Sequence, residues 1–240
     1  MVDLVSKLQT DLNENGYALL EDVFDGPELE LLIEGLTTAL QAQSESSLQS
    51  RGQTYGSRNL LDVFPSVASL LREPSILEFI VATLGEKAGL VRVLYFDKPP
   101  GRSWSLPWHK DRTIAVQRND LPSKVFRKPT QKAGVAHVEA PDALLQQMLT
   151  LRVHLDPMTA ENGPLSVIPG SHLASDQAEP SPVELITTAG SVLAMRPLLS
   201  HSSRMPIAET SLHRRVIHFE LSNSRELPDG YRWHRFARIL

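Results

Sequence analysis

Leu90-Val91-Arg92-Val93-Leu94-Tyr95-Phe96 is where this chain changes character. Before it the sequence reads as helix; after it, as short strands. The run is rich in β-branched and aromatic residues. Similar runs follow at Met148 to Leu155, Leu165 to Ile168, Ser191 to Met195 and Arg214 to Leu221. Pro99-Pro100-Gly101, Gly163-Pro164 and Pro169-Gly170 punctuate them. Short strands without interleaved helices point to antiparallel sheets packed face to face, a jelly-roll-like barrel. The expected fold class is mainly β with flanking helices, in a single domain over 1–240. Residues 1–87 would be mostly helical support on an outer face, and 88–240 the jelly-roll core.

Upstream, Leu4, Leu8 and Leu12 recur at helical spacing, and Gly16 can end that helix. Tyr17 to Leu20 reads as a short strand. Asp25-Gly26-Pro27-Glu28 is a helix start, with a capping Asp, an early Pro and a Glu three residues after the Asp. The stripe Leu29, Leu32, Ile33, Leu36, Leu40 follows it. A third helix is expected over Pro74 to Leu84, with Ile76, Leu77, Ile80, Val81 and Leu84 inward and Gly85 as the stop.

At 240 residues the chain suits one substantial β-sandwich or barrel-like domain. Its net charge of −4 argues against a general nucleic-acid binder, which needs a basic face for phosphates. The absence of cysteine excludes disulfides, thiolate metal sites and Cys nucleophiles. It fits a reducing compartment, so a cytoplasmic location is expected. The start, Met1-Val2-Asp3-Leu4-Val5-Ser6-Lys7, is too polar for a signal peptide. No run of 18 apolar residues occurs, so no membrane helix is expected.

The candidate chemistry lies in Trp108-His109-Lys110-Asp111 and in His201, 90 residues after Asp111. Residues i and i+2 of an extended chain share a face, so His109 and Asp111 can reach one ion while Lys110 turns away. In a sandwich, a distant His201 can close the set. Two imidazoles and one carboxylate form one face of a coordination shell and leave positions open for a co-substrate and O2, which suits non-haem Fe(II). Donors without sulfur disfavour a structural zinc site and permit iron, manganese or cobalt. His137, His154, His172, His213, His218 and His234 read as structural or surface residues.

Several segments, in order, resemble the phytanoyl-CoA dioxygenase-like family of Fe(II)/2-oxoglutarate oxygenases. They are Gly16-Tyr17-Ala18-Leu19-Leu20, Leu94-Tyr95-Phe96-Asp97-Lys98-Pro99 and Trp108-His109-Lys110-Asp111. Thr150-Leu151-Arg152-Val153-His154-Leu155-Asp156 and Glu161-Asn162-Gly163-Pro164-Leu165 follow. Ile168-Pro169-Gly170-Ser171-His172 comes next, then His201-Ser202-Ser203 with Arg214-Arg215-Val216-Ile217-His218. The resemblance implies a double-stranded β-helix (jelly-roll, cupin-like) fold, with His109, Asp111 and His201 as iron ligands. It implies 2-oxoglutarate as co-substrate and O2 as oxidant, in a hydroxylase that acts on an aliphatic carbon of a small molecule.

The same family needs an arginine some ten residues after the distal histidine to hold the far carboxylate of 2-oxoglutarate. A guanidinium offers two parallel charged hydrogen bonds there. Arg214 and Arg215 are adjacent and only one can face inward; strand alignment favours Arg214, although the spacing is longer than the commonest pattern. Ser203 matches a position that often hydrogen-bonds that carboxylate. Lys98 either contacts the co-substrate or is solvated. Arg152 reads as a buried residue paired with Asp156 or Glu220, Asn162 as a turn support, and His172 as a loop anchor.

The segment 117–142 is too long for a simple hairpin turn and is expected as a lid loop. Arg118, Lys124, Arg127, Lys128 and Lys132 stand in it against Asp120 and Glu139. One reading is a mobile lid offering positive charge to an acidic substrate, with Val125 and Phe126 as apolar contacts; the other is a solvated loop. Trp104 and Trp108 either line the pocket or pack the rim. Two alternatives stand beside the oxygenase. A cupin-type hydrolase or isomerase would use zinc or manganese to activate water, and the paired arginines argue against it. A non-catalytic ligand-binding relative is disfavoured by the complete triad. The intact Asp111 argues against halogenation, which replaces that carboxylate with a small residue.

Overall fold

Helix α1 spans Leu4–Asn15 and strand β1 Tyr17–Leu20. Gly16 between them has φ 83°, and a Cβ there would meet the His172 ring and Leu199. Helix α2, Gly26–Ala42, opens on the expected reciprocal cap. Asp25 Oδ1 accepts from the Glu28 amide at 2.9 Å, and Glu28 Oε2 accepts from the Asp25 amide at 3.0 Å. Strands β2 (Ser47–Ser50) and β3 (Gln53–Ser57) then form a hairpin. The expected helical stretch over 1–87 is thus interrupted by β-structure. Helix α3 (Leu60–Val63), a 3-10 segment (Pro65–Arg72) and helix α4 (Pro74–Leu84) complete this part. In α4 the buried residues are Ile76, Phe79, Ile80 and Leu84, whereas Leu77 and Val81 are half-buried. The computed structural model describes residues 4–42, 47–50, 53–100, 104–173 and 181–240; Met1-Val2-Asp3 and the Gly101 turn signal lie outside them.

The β-rich part runs through β4 (Gly89–Lys98), β5 (Leu106–His109), β6 (Thr113–Val116), β7 (Arg127–Lys132) and β8 (Val135–Glu139). It continues with β9 (Met148–His154), β10 (Leu165–Val167), β11 (Val183–Glu184) and β12 (Val192–Met195). Strands β13 (His201–Ser203), β14 (Arg214–Ser222) and β15 (Ala237–Arg238) end it. The main sheet has the order β1-β12-β9-β14-β4-β3-β2, with β15 also on β4. A second sheet runs β11-β10-β13-β5 and a third β6-β8-β7. All the pairings are antiparallel. The architecture is the cupin-like one expected, mainly β with a few helices, as two facing sheets; no closed barrel forms among the described residues.

Strand parity decides what the main sheet does. Val93 and Tyr95 of β4, Leu149, Leu151 and Val153 of β9, and Ile217, Phe219 and Leu221 of β14 share one core with Leu8, Leu12, Leu29, Leu36, Leu40, Ile76 and Ile80 of the helices. That core fixes the helices to the outer face, at roughly 1.5–3 kcal/mol per fully buried large side chain. The alternate residues, Arg92, Leu94, Phe96 and Lys98 of β4 and Arg214, Val216, His218 and Glu220 of β14, line a cavity on the inner face. Leu106, Leu165, His201 and Ser203 line it from the second sheet.

The stretch expected as a lid loop, 117–142, instead carries β7 and β8, a hairpin paired onto β6. Phe126 is 6% exposed and belongs to a second core with Ile114, Val138, Tyr231 and Trp233. Arg118 grips Asp120 at 2.7 and 2.8 Å, and Lys128 meets Glu139 at 2.7 Å. Two of the five basic residues of this stretch are therefore paired at the surface. Lys132 is the member that reaches the cavity. Among the described residues, no helix is long and apolar enough to cross a membrane.

Candidate metal centre

His109 ends β5 and lies directly across from His201, which opens β13. Their rings are 4.3 Å apart between centroids. Each ring has Nδ1 against a carbonyl two residues earlier: His109 against Pro107 O at 2.7 Å, His201 against Leu199 O at 2.9 Å. An Nδ1–H donating to a carbonyl fixes the tautomer and leaves the Nε2 lone pair free for a ligand role. The Asp111 amide donates to Pro197 O at 2.9 Å, which ties the residue to the turn that leads into His201. Asp111 Oδ1 is 3.8 Å from His109 Nε2, and Oδ2 is 3.6 Å from His201 Nε2. One ligand atom from each of the three lies within 4.8 Å of the others. Metal bonds of about 2.1 Å set neighbouring ligand atoms roughly 3 Å apart, so a small closing movement fits this set to one ion.

Arg152 of β9 stands against the triad. Its Nη2 is 3.2 Å from His201 Nε2 and 3.6 Å from Asp111 Oδ2. The expected partners, Asp156 and Glu220, are instead taken by Arg215 and Arg92. Burial first, then the Arg152 charge, pushes His201 down to about 4. His218, level with Arg152 across the β14–β9 pairing, is lowered to about 3 by burial and then by Arg152. Burial works against the charge of Asp111, yet His201 and Arg152 hold its carboxyl below the usual range. The site favours a neutral His201 beside an ionised Asp111, the protonation states a metal requires of such ligands.

A second group gathers at one end of the same cavity. Lys98 is 2% exposed, donates to Ser203 Oγ at 3.0 Å and to Arg204 O at 2.8 Å, and sits 5.6 Å from the Trp104 ring centroid. The solvated reading of Lys98 is excluded by this burial. Arg214 pairs across the strands with Lys98. It makes no ion pair among the described residues, and its Nε is buried without a hydrogen-bond partner there. Burial, then Arg214, pulls Lys98 down to about 7; burial, then Arg152, pulls Arg214 down to about 10. Arg215 points to the opposite face, where Asp156 takes its Nε at 2.8 Å and its Nη2 at 2.6 Å.

Asn162 holds a turn, accepting from the Thr159 amide at 2.9 Å and donating to Pro157 O and His213 O at 2.8 and 3.0 Å. A Cβ on the adjacent Gly163 would strike Arg204 O and crowd Lys98 Nζ, so the Glu-Asn-Gly-Pro turn packs under the cationic end. His172 Nε2 lies 3.1 Å from Asn13 O and anchors its loop to α1. Trp104 lines the cavity, whereas Trp108 is 45% exposed at the rim. The cavity measures about 390 Å³. Sequence reading overlooked Arg152, Arg92 and Glu220 as parts of its wall. The signal was present as parity: each is a charged residue alternating with apolar ones on a strand whose other face meets the helices.

No curated protein matches the chain in sequence. Among solved structures it resembles AviO1 from Streptomyces viridochromogenes Tue57, at 21% identity over 95% of this chain and 99% of that one, with a TM-score of 0.66. It also resembles EctD from S. alaskensis, solved with 2-oxoglutarate and 5-hydroxyectoine, at 17% identity over 92% of this chain and 78% of that one, TM-score 0.69. A third is the non-heme alpha ketoglutarate dependent epimerase SnoN from nogalamycin biosynthesis, at 19% identity over 94% and 86% of the two chains, TM-score 0.63. Likeness at these identities speaks for the shared fold. The family match is direct and spans residues 12–208, from the end of α1 past the distal histidine: the chain belongs to the phytanoyl-CoA dioxygenase (PhyH) family.

Proposed function

We propose that the protein is an Fe(II)- and 2-oxoglutarate-dependent dioxygenase that hydroxylates an aliphatic carbon of a small molecule. His109, Asp111 and His201 would hold the iron, and Arg214, Lys98 and Ser203 the far carboxylate of 2-oxoglutarate. The observation that carries this reading is the unpaired guanidinium of Arg214, set beside a buried lysine and a hydroxyl in the cavity that also contains the triad. A buried lysine beside a half-buried guanidinium whose Nε is shut off from solvent, with no carboxylate between them, is costly unless an anion joins them. A hydrolase of the cupin type has no use for such a clamp.

The bound iron and co-substrate would supply the oxidation, with O2 consumed and succinate and carbon dioxide released. The chain's own part is geometric. Nδ1–H bonds to Pro107 and Leu199 aim the two imidazoles, and the Asp111 amide bond to Pro197 holds the carboxylate between them. Arg152 keeps Asp111 ionised and His201 neutral. Leu94, Phe96, Leu165 and Val216 line the cavity with apolar surface and limit water.

The test is product formation in air. Purified protein with Fe(II) and 2-oxoglutarate should release succinate slowly even without the primary substrate. The release should cease when zinc replaces iron. Water-activating turnover with zinc and none with iron would favour the hydrolase and reject this reading.

A further inference from the structure

The cavity carries more positive charge than this chemistry uses. Its lining holds six cationic side chains against two carboxylates, in a chain whose net charge is −4. On the oxygenase reading, the divalent iron and the 2-oxoglutarate dianion cancel and leave the excess standing. Lys98 and Arg214 serve the keto-diacid, and Arg152 sits on Asp111 and His201. Arg58, Arg92 and Lys132 remain, with Glu220 the one carboxylate of the lining beside them.

These three lie at the other end of the cavity. In the β14–β4 pairing Arg214 is opposite Lys98 and Glu220 is opposite Arg92. The two pairs are six steps apart along β14, roughly 20 Å at ~3.3 Å per residue. His218, between them, is level with Arg152, which touches the triad. The triad therefore stands between two cationic ends.

The local bonding leaves this end short of acceptors. Arg92 is 7% exposed; its Nε donates to Arg58 O at 3.3 Å, and its Nη1 is 3.6 Å from Glu220 Oε1. Arg92 Nη2 is buried with no hydrogen-bond partner among the described residues. Lys132 Nζ donates to Thr113 Oγ1 at 2.9 Å, and among the described residues neither it nor Arg58 makes an ion pair. A buried guanidinium nitrogen without an acceptor is costly to desolvate, and an oxyanion removes that cost. Between the two ends the lining is apolar: Leu94 lies opposite His218 and Phe96 opposite Val216, and toward the Lys98 end Tyr55 and Trp104 meet edge to face at 5.8 Å.

We infer that Arg58, Arg92 and Lys132 form an oxyanion subsite for the primary substrate, a small molecule with a carboxylate or similar group at one end and an apolar body. The assignment to the primary substrate rests on the oxygenase reading; the subsite itself rests on the residues above.

Phenylacetate and phenylacetamide differ in charge and little in shape, so they separate the two ideas. Calorimetry titrates each into the protein with saturating 2-oxoglutarate, with and without Fe(II), under nitrogen. Phenylacetate should bind at least about tenfold more tightly than the amide, and Lys132→Met and Arg58→Gln should each lose roughly tenfold of that affinity. Both side chains are only half-buried, so these variants spare the Arg92–Glu220 pair inside the sheet. Equal affinity for the two compounds, binding of neither, or a preference that survives both substitutions overturns the subsite. Failure of the parent reading looks different: no charge-transfer band with Fe(II), but an intact preference for phenylacetate, which supports the subsite and removes the iron.

Discussion

Arg214 and Arg215 are neighbours in sequence and lie on opposite faces of one sheet, so they should fail differently when cut back. Arg214→Ala should raise the apparent 2-oxoglutarate requirement roughly 10- to 100-fold, the value of one or two charged hydrogen bonds, and leave metal affinity unchanged. Arg215→Ala should leave that requirement alone and lower stability by about 2 kcal/mol through loss of its bidentate bond to Asp156, read as a drop in melting temperature. The reverse pattern would mean that the wrong arginine faces the cavity. Buried histidines give a pH prediction. His137 is held at about 4 by burial, and His154 at about 3 by burial and then Arg214. Both are lowered from an unfolded value near 6.5. Above that value neither state is protonated there. Below it the unfolded chain takes up protons that the fold refuses, so stability is lost as pH falls from about 6.5 toward 4 and 3. Melting of the metal-free protein between pH 7 and 5 should show this, and His137→Gln with His154→Gln should flatten the slope. Of the residues, the triad was legible because the family-like segments around it singled out His201, among the other histidines, to complete the His109-x-Asp111 pair. The partners of Arg152 were not legible. Ion pairing across a sheet depends on register, and register placed Arg152 on the triad while Arg92 and Arg215 took the carboxylates proposed for it.

Elements declared themselves in proportion to their local chemistry. The Asp25–Glu28 cap and the Leu29, Leu36, Leu40 stripe mark α2 in the sequence by themselves, before the core they pack into is known. β7 had no such mark. Arg127-Lys128-Pro129-Thr130-Gln131-Lys132 is exposed along nearly its whole length and contains a proline, which an edge strand tolerates. Its partner β8 and the buried Phe126 hold it in place, where the sequence reading expected a lid loop with Phe126 as an apolar contact. Two outcomes separate a packed sheet from a mobile lid. Backbone amides of Val135–Glu139 should exchange slowly with solvent in the unmodified protein. Phe126→Ala should cost about 3 kcal/mol and speed exchange in β7 and β8 first. Fast exchange of β8 in the unmodified protein would restore the lid.

For the molecule as a whole, alternation along β4, β9 and β14 does two things at once. One face of each strand carries Val, Leu, Ile and Phe into the helices, and the other carries Arg, Lys, His and Glu into the cavity. The jelly-roll arrangement was legible from strand runs and turn signals, and the family resemblance named it. The charge distribution inside was not, because a sum over the chain hides a cationic pocket within an anionic protein. The central claim is that His109, Asp111 and His201 hold one iron while the co-substrate occupies the positions left open. An anaerobic titration of Fe(II) into the metal-free protein with 2-oxoglutarate tests it most directly. The account predicts a visible charge-transfer band that saturates at one iron per chain and is lost in His109→Ala. No band with the unmodified protein, or an equal band in His109→Ala, would contradict it.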